Sequence, residues 1–495
     1  MQRLGLLSKA GALAALLAVV GAAPGSGPNP YARILLLESR RSLGAGELGA
    51  WLNSADERVA VRAALAIGRT KRPAGEPLLA AHLSDPRAPV RAMSLYALGL
   101  LATGREAAAL TAALHDPSGA VRVAALDAIA RYEAAGAFAA QAQRRAQAGV
   151  EVSLASDADP IVRARAAIAL VEFRDSAGAY EAADSLATAF RTDSSLEVRR
   201  HAMWTIFRGY ALKAGRRTIE TALADRDEIV RIEAVRAMSR LRDPALVALV
   251  KPLLGDPSWR VAEQAGETIR ILEGKPMTDH LTRIPAYVHL PPKAADPLAA
   301  LPALARTPVE GAPAAPAVQR ALLEPKLLSS SARAMTGPAP GEHPRVRILT
   351  TKGAIYLVLY PEWAPLTVAN FLDLANRGYY DGNRWFRIVP DFVVQTGDPH
   401  DNGDGDAGYS IGAEENPLEQ DSYVMSMGLN YDEKTNTPIR DSAGTQYYIT
   451  LSPQYHLDRD FTVFAKVTGG FDVLARLVES DRVLRVERIA DQNLR

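Results

Sequence analysis

Along the first half of the chain, small and apolar residues recur at helical spacing, and the pattern itself recurs. The unit is an Asp, a Val-Arg pair five and six residues on, then apolar residues three and four apart. It reads DERVAVRAALAIG from Asp56, DPRAPVRAMSLYALG from Asp85, DPSGAVRVAALDAIA from Asp116 and DADPIVRARAAIAL from Asp157. It continues as DSSLEVRRHAMWTI from Asp193, DRDEIVRIEAVRAM from Asp225 and DPSWRVAEQAGETI from Asp256. The recurrent valines, Val61, Val90, Val121, Val162, Val198, Val230 and Val261, are separated by 29, 31, 41, 36, 32 and 31 residues. Val61, Ala64, Leu65 and Gly68 fall on one helical face. Asp followed by Pro suits a helix start, where Asp satisfies free N–H groups and Pro needs none. An apolar helix precedes several of the Asp signals, as LLAAHL does before Asp85. Helix pairs of this period stack into an α-solenoid, predicted here over 31–273. The recurrent arginines are expected to tie neighbouring units together rather than to hold a ligand. The last unit breaks the pattern, with Ala262 in the Arg position.

The helical period stops at a Pro/Ala-rich stretch, 274–343, that reads as a linker. Over 344–492 the alternation becomes that of strands. VRILTT and AIYLVLY predict a hairpin around Lys352-Gly353, with Ile355, Leu357 and Leu359 on one face. A helix follows, opened by Pro365, striped by Val368, Phe371, Leu372 and Ala375 and ended by Gly378. Strand-like runs WFRIV, FVVQ, YVMSMG, QYYIT and FTVFAKV come next, then an apolar helix FDVLARLV and a closing strand VLRVERI. The run WFRIV poses a question, because a strand buries an arginine only when its guanidinium has a task.

Length and charge narrow the rest. The 495 residues exceed one core, and a formal net charge of +1 gives no electrostatic case for nucleic acid. There is no cysteine, which excludes disulfides, thiolate metal sites and a cysteine nucleophile. The eight histidines show no HxxxH or HExxH spacing, so neither a metal nor a cofactor is expected. The loop DPHDNGDGDAGYS lacks the order of a calcium loop. Residues 1–23 resemble an export signal: Arg3 and Lys9, an apolar run from Gly11 to Val20, then Gly21, Ala22 and Ala23. The alternative is a retained anchor, but the run falls short of the roughly 20 residues that span a bilayer. The mature chain is therefore expected in the periplasm or secreted.

The repeated unit resembles HEAT repeats, of the short kind also seen in phycobilin-lyase-like proteins. The C-terminal region resembles the cyclophilin family of peptidyl-prolyl cis–trans isomerases in TTKGAIYLVLYPEWAPLTVANFL, YYDGNRWFRIVPDFVVQTGDP, AGTQYYIT and HLDRDFTVFAKV. The resemblance implies a closed antiparallel eight-stranded β-barrel capped by two helices. It makes Arg387 the catalytic arginine, with Phe392 and Gln395 as groove residues that follow it. Gln446 and Tyr448 match further groove positions, Leu457 the apolar floor, and Val393 stands for a usual methionine. The chain departs from the family at several points. Trp385 and Phe386 replace Phe and His, Gly428 a groove alanine, Leu429 an asparagine, His456 a tryptophan and Phe461 a histidine. The loop NYDEKTNTPIRDS is longer than usual.

The implied function is isomerisation of X–Pro bonds in polypeptides, without cofactor, assisting the folding of exported proteins, while the solenoid carries protein partners. Two alternatives stand beside it. One is a non-catalytic module that captures proline-containing segments in a degenerate groove. The other is a lyase-related role suggested by the repeat subtype.

Overall fold

The computed structural model describes residues 30–275 and 343–489, apart from 402, 404 and 433. The export-like segment 1–23 and linker residues 276–342 lie outside the described residues. The repeat signals open seven helices: Glu57–Arg69, Ala88–Leu101, Gly119–Ala134, Pro160–Ala169, Leu196–Thr205, Glu228–Leu241 and Trp259–Leu272. These pack side by side in one row, and a second row, mostly of shorter helices, covers their outer side. Close approach within the row depends on small residues. A Cβ at Gly68 would lie 2.8 Å from the Ala97 Cα, and one at Gly99 would lie 2.8 Å from the Ala128 Cα.

In every unit after the first, the recurrent Asp does not cap its helix directly. It sits two residues before the N-cap and accepts the N-cap N–H, as Asp116 does from Ser118 and Asp256 from Ser258, both at 2.8 Å. The next arginine completes a ladder between units. Arg122 donates to both oxygens of Asp157 at 2.7 and 2.8 Å, while its Nη1 donates to the Asp116 carbonyl at 2.9 Å. Arg91–Asp116, Arg163–Asp193 and Arg231–Asp256 repeat this arrangement. At the fifth unit Arg200, rather than Arg199, crosses to Asp227. The arginines thus act as the sequence predicts, as ties between units.

The first unit is read two residues out of register in the sequence. Its helix begins at Glu57, with Ser54 in the turn position and Val59 in the core position. Val61 is only partly buried, whereas Val90, Val121, Val162, Val198, Val230 and Val261 are wholly buried. Arg62 consequently faces inward and pairs with the buried Glu38. A Ser hydroxyl holds this turn as an Asp carboxylate would, so the DERV string misled the alignment.

The C-terminal sheet has eight antiparallel strands in the order β3-β4-β6-β5-β7-β2-β1-β8. They are β1 Arg345–Thr350, β2 Gly353–Leu359, β3 Arg387–Val389, β4 Val393–Thr396, β5 Val424–Met427, β6 Tyr447–Thr450, β7 Val463–Gly469 and β8 Val483–Ile489. The expected hairpin is present, but its turn is Thr351-Lys352, because Thr350 pairs with Gly353. Ile355, Leu357 and Leu359 point into the core as predicted. The helices Pro365–Asn376 and Phe471–Arg476 cap the sheet. The expected closed barrel needs correction. The sheet is a curled half-barrel whose edge strands β3 and β8 form no ladder. The isolated bridge Arg384–Arg482 and neighbouring backbone hydrogen bonds join the two ends. β3 has only three residues, too few to extend a second ladder.

The inner row of the solenoid packs on this half-barrel. Arg69, fully buried, donates to the carbonyls of Glu415 at 2.7 Å and Trp363 at 2.7 Å and to the Glu38 carboxylate at 2.8 Å. Arg165 pairs with Asp127 within the solenoid and with Glu419 and Asp458 across the junction, at 3.0 and 3.2 Å. His201 Nε2 lies 2.8 Å from the Tyr455 hydroxyl. Ile168, Val171, Trp204 and Tyr455 form a small apolar core shared by both halves.

The ladder yields a stability prediction. Arg122→Met leaves the largely buried Asp157 without its charge-assisted partner, and should lower unfolding stability by about 2 kcal/mol. The guanidinium, outweighed only by desolvation as a single influence, holds Asp157 below the usual carboxylate range. Its contribution is therefore present above the ordinary Asp pKa and lost as pH falls through the lower folded value. Denaturant titrations of both proteins at pH 7 and at acid pH check this. A difference that does not shrink with acid would refute the assignment.

Candidate active site

Two-residue alternation on three strands separates core from groove. On β3, Ile388 enters the core and Arg387 is exposed. On β4, Val394 enters the core, while Val393 joins an outer apolar cluster. On β6, Tyr447 is in the core and Tyr448 in the outer cluster. That cluster is Val393, Tyr448, Leu457 and Phe461, with Phe392 and Leu429 packed against it. Tyr448 meets Phe461 edge-on at 5.7 Å between ring centroids. Together they make an apolar cup on the outside of the sheet.

Polar groups line one side of the cup. Arg387 pairs with Gln395 in strand register, and its Nη1 donates to the Gln395 Oε1 at 3.2 Å. Gln395 Nε2 donates to the Gln446 Oε1 at 3.1 Å, and Gln446 Nε2 donates to the carbonyls of Gly403 and Gly405 at 2.8 and 3.1 Å. The Arg387 guanidinium lies 5.5 Å from the Phe392 ring centroid. Among the described residues no carboxylate pairs with Arg387, which leaves donor capacity facing the groove. Gly428 lies beneath, where a Cβ would stand 3.2 Å from the Gln446 Cβ and 3.3 Å from the Gln395 Nε2. His456 stacks on Phe392 at 6.0 Å. All ten residues singled out from the sequence therefore gather at one groove. Trp385 is wholly buried behind it.

With this geometry in hand, comparison with known proteins is decisive. Residues 345–492 match the model of the cyclophilin type peptidyl-prolyl cis-trans isomerases, and 47–130 and 216–285 match that of HEAT repeats. Peptidyl-prolyl cis-trans isomerase B of Bacillus subtilis is 40% identical over 144 residues, which span 28% of this chain and 95% of that protein. The chain belongs to the cyclophilin family.

Another relative, the peptidyl-prolyl cis-trans isomerase-like 1 of Rhizopus delemar, is 37% identical over 153 residues, 30% of this chain and 91% of its own. A solved cyclophilin-type isomerase of Cryptosporidium parvum aligns at 25% identity over 30% of this chain and 99% of its own, with a TM-score of 0.28. The isomerase match lies at 345–492 and the HEAT matches precede it, so this is a cyclophilin carrying a HEAT solenoid.

The solenoid reaches the cyclophilin groove through residues that the sequence did not single out. Asp391 is buried at the tip of the β3–β4 hairpin, next to Phe392. Arg260 Nη2 donates to its carboxylate at 2.7 Å and to the Leu451 carbonyl at 2.8 Å. Arg236 Nη2 donates to the Asp391 carbonyl at 2.6 Å and lies 2.7 Å from its carboxylate. Trp204 stacks on His456 at 6.5 Å, so that His456 is sandwiched between solenoid and cyclophilin rings. In the sequence Trp204, Arg236 and Arg260 read only as parts of repeat helices, and Arg260 precedes the valine of the unit that lacks its arginine. Within the cyclophilin part the long loop brings Tyr431, 48% exposed, into electrostatic reach of Arg387.

Burial beside Arg208, Arg236 and Arg459 pushes the His456 imidazole down to about 3. It is neutral in the folded protein at ordinary pH. The unfolded chain takes up a proton near pH 6.5, so this group removes stability as pH falls from there toward 3. In NMR titration the His456 ring resonances should stay constant from pH 8 to 5. An inflection near 6.5 would contradict the buried neutral ring. Asp391→Ala leaves Arg236 and Arg260 buried without their shared counter-charge, and should cost about 3 kcal/mol of stability and slow any turnover in the groove. Thermal denaturation and an isomerisation assay measure the two effects. Unchanged values in both would show that the hairpin holds its shape without the solenoid.

Proposed function

We propose that the groove isomerises X–Pro bonds in polypeptides, with Arg387 as the group that touches the reacting nitrogen. A peptide bond resists rotation because its nitrogen shares a lone pair with the carbonyl, with a barrier of about 18–20 kcal/mol. X–Pro bonds occupy both isomers and exchange over roughly tens to hundreds of seconds. In the twisted state the proline nitrogen is pyramidal and basic. A guanidinium donates a hydrogen bond to it there, and gains little from the planar ground state, which is transition-state complementarity. The observation that carries this reading is the Arg387 guanidinium, set over Phe392, bonded to Gln395 and paired with no carboxylate among the described residues.

The remaining groove residues fit the same chemistry. Phe392, Val393, Tyr448, Leu457 and Phe461 receive the proline ring, and His456 forms one wall. Gln395 and Gln446 offer amides to the substrate backbone, and Gly428 leaves room for that backbone to approach. No nucleophile, metal or cofactor is needed.

The export-like residues 1–23 support action on proteins folding outside the cytoplasm, in the periplasm or after secretion, where proline isomerisation can limit folding. The HEAT solenoid serves as a scaffold for protein contacts. Its inner row is engaged by the cyclophilin, so partners reach the remaining faces.

Arg387→Ala should lower kcat/KM on a short proline peptide about 10–100-fold, the equivalent of one charge-assisted hydrogen bond. Circular dichroism should show the fold intact. Wild-type-like turnover in the variant would remove Arg387 from the mechanism. A folded wild-type chain that binds proline peptides without turnover would favour the capture module.

A further inference from the structure

Beside the groove, on the solenoid side of His456, lies a cleft of about 740 Å³. Six cationic side chains line it, Arg174, Arg208, Lys213, Arg240, Arg242 and Arg459, against one carboxylate, Glu172. Glu172 is already used, accepting from Arg459 at 2.8 Å. Among the described residues no carboxylate pairs with Arg208, Arg240 or Arg242. The guanidinium groups of Arg208 and Arg240 instead lie 5.9 and 5.1 Å from the Phe207 ring centroid. Burial together with the neighbouring Arg240 pulls the Arg208 guanidinium below its ordinary range. Like charges gathered around one ring repel.

The local backbone is also irregular. The helix Leu196–Thr205 runs on into a π-helical turn, Ile206–Tyr210, that carries Phe207 and Arg208 to the cleft. Such turns are frequent at functional sites. Gly209 lets the turn press on the Arg174 side chain, where a Cβ would stand 2.8 Å from the Arg174 Cβ. Leu212, 76% exposed, adds an apolar surface to the same cleft.

The cleft and the groove share a wall. Arg387 lies over Phe392, Phe392 stacks on His456, His456 stacks on Trp204, and Arg208 lies 5.9 Å from the Trp204 ring centroid. An extended segment of about seven residues covers that path at roughly 3.3 Å per residue. We infer that the cleft is a subsite for an acidic segment of the same polypeptide whose proline occupies the groove. The subsite selects substrates carrying Asp or Glu a few residues from the proline. The occupant is a polypeptide because the cleft continues a groove built for one, and it is acidic because the unpaired charge is positive. The inference rests on the groove holding a proline peptide, but not on turnover.

The test is binding of fluorescent peptides to the full chain by anisotropy, run beside a separate turnover assay. One neutral proline peptide is compared with versions carrying three Glu or three Lys about four residues to either side of the proline. An acidic flank on one side should tighten binding about tenfold over the neutral peptide, and the basic flank should weaken it. The preference should fade as salt rises from 50 to 300 mM. The exposed pair Arg240→Glu/Arg242→Glu should abolish the preference and leave the neutral peptide's affinity and kcat unchanged. Arg208→Gln, which keeps a polar chain over Trp204, should reduce it about threefold. Equal affinity for acidic and neutral peptides would overturn the subsite, as would a preference that survives the Glu substitutions. Binding of a single-stranded oligonucleotide of equal charge as tightly as the acidic peptide would overturn its assignment to polypeptide. Absence of turnover alone, with the binding preference intact, would count against the isomerase reading and uphold the subsite.

Discussion

The arrangement of the groove depends on one buried carboxylate. Asp391 occupies a left-handed turn position, φ 53°, at the end of a hairpin whose outer strand has three residues. A short edge strand with one neighbour has few backbone bonds to fix it. Ser452 and Gln454 donate to the Asp391 carbonyl from within the cyclophilin, and Arg236 and Arg260 add a constraint from another part of the chain, engaging between them both the carboxylate and that carbonyl. Removing three charges from water is costly unless each is paired and hydrogen-bonded. The mutual bonding here meets that condition, so the geometry has little freedom. Phe392 follows Asp391 directly, and Arg387 and Gln395 face each other two register positions below the pair that closes the turn. The grip on Asp391 thus sets the position of the groove's polar edge.

The same junction gives the site its electrostatic character. His456 lies between Phe392 of the cyclophilin and Trp204 of the solenoid, with cations on its solenoid side. Burial and positive neighbours both favour the neutral ring. The groove therefore keeps one charged donor, Arg387, in an apolar surround, where a hydrogen bond to a developing lone pair is strongest. The excess positive charge beyond His456 belongs to the solenoid. On the reading proposed above, a solenoid docked in this way forms part of the substrate surface.

Energetically, the two halves are held by different means. The solenoid is close to one-dimensional: each unit buries small residues against its neighbours and passes an arginine to the next aspartate. Its regularity fails where it meets the cyclophilin. The helix that carries Trp204 ends in a π-helical turn. Local rules give way where a long-range contact offers more burial or a better-paired charge.

Period and motif made both halves legible in the sequence. The helical repeat, the arginine ties, the strand alternation and all ten groove residues follow from patterns that span a few residues, or from a family frame that fixes their spacing. Register proved less secure, because Ser54 takes the role that the string DERV suggested for Asp56, and either side chain satisfies the same turn. Closure of the sheet was not legible either, since it turns on whether β3 and β8 have the length to pair. The docking of the solenoid was wholly hidden. Trp204, Arg236 and Arg260 lie 131 to 252 residues from their partners Asp391, Tyr455 and His456. No periodicity of the sequence links such pairs. The sequence by itself determined the two folds and the chemistry of the groove, because helix faces, strand faces and a motif are local properties. Only the tertiary structure decided which face of one domain completes the other, because that choice is made by buried charges finding partners across a distance that sequence order does not encode.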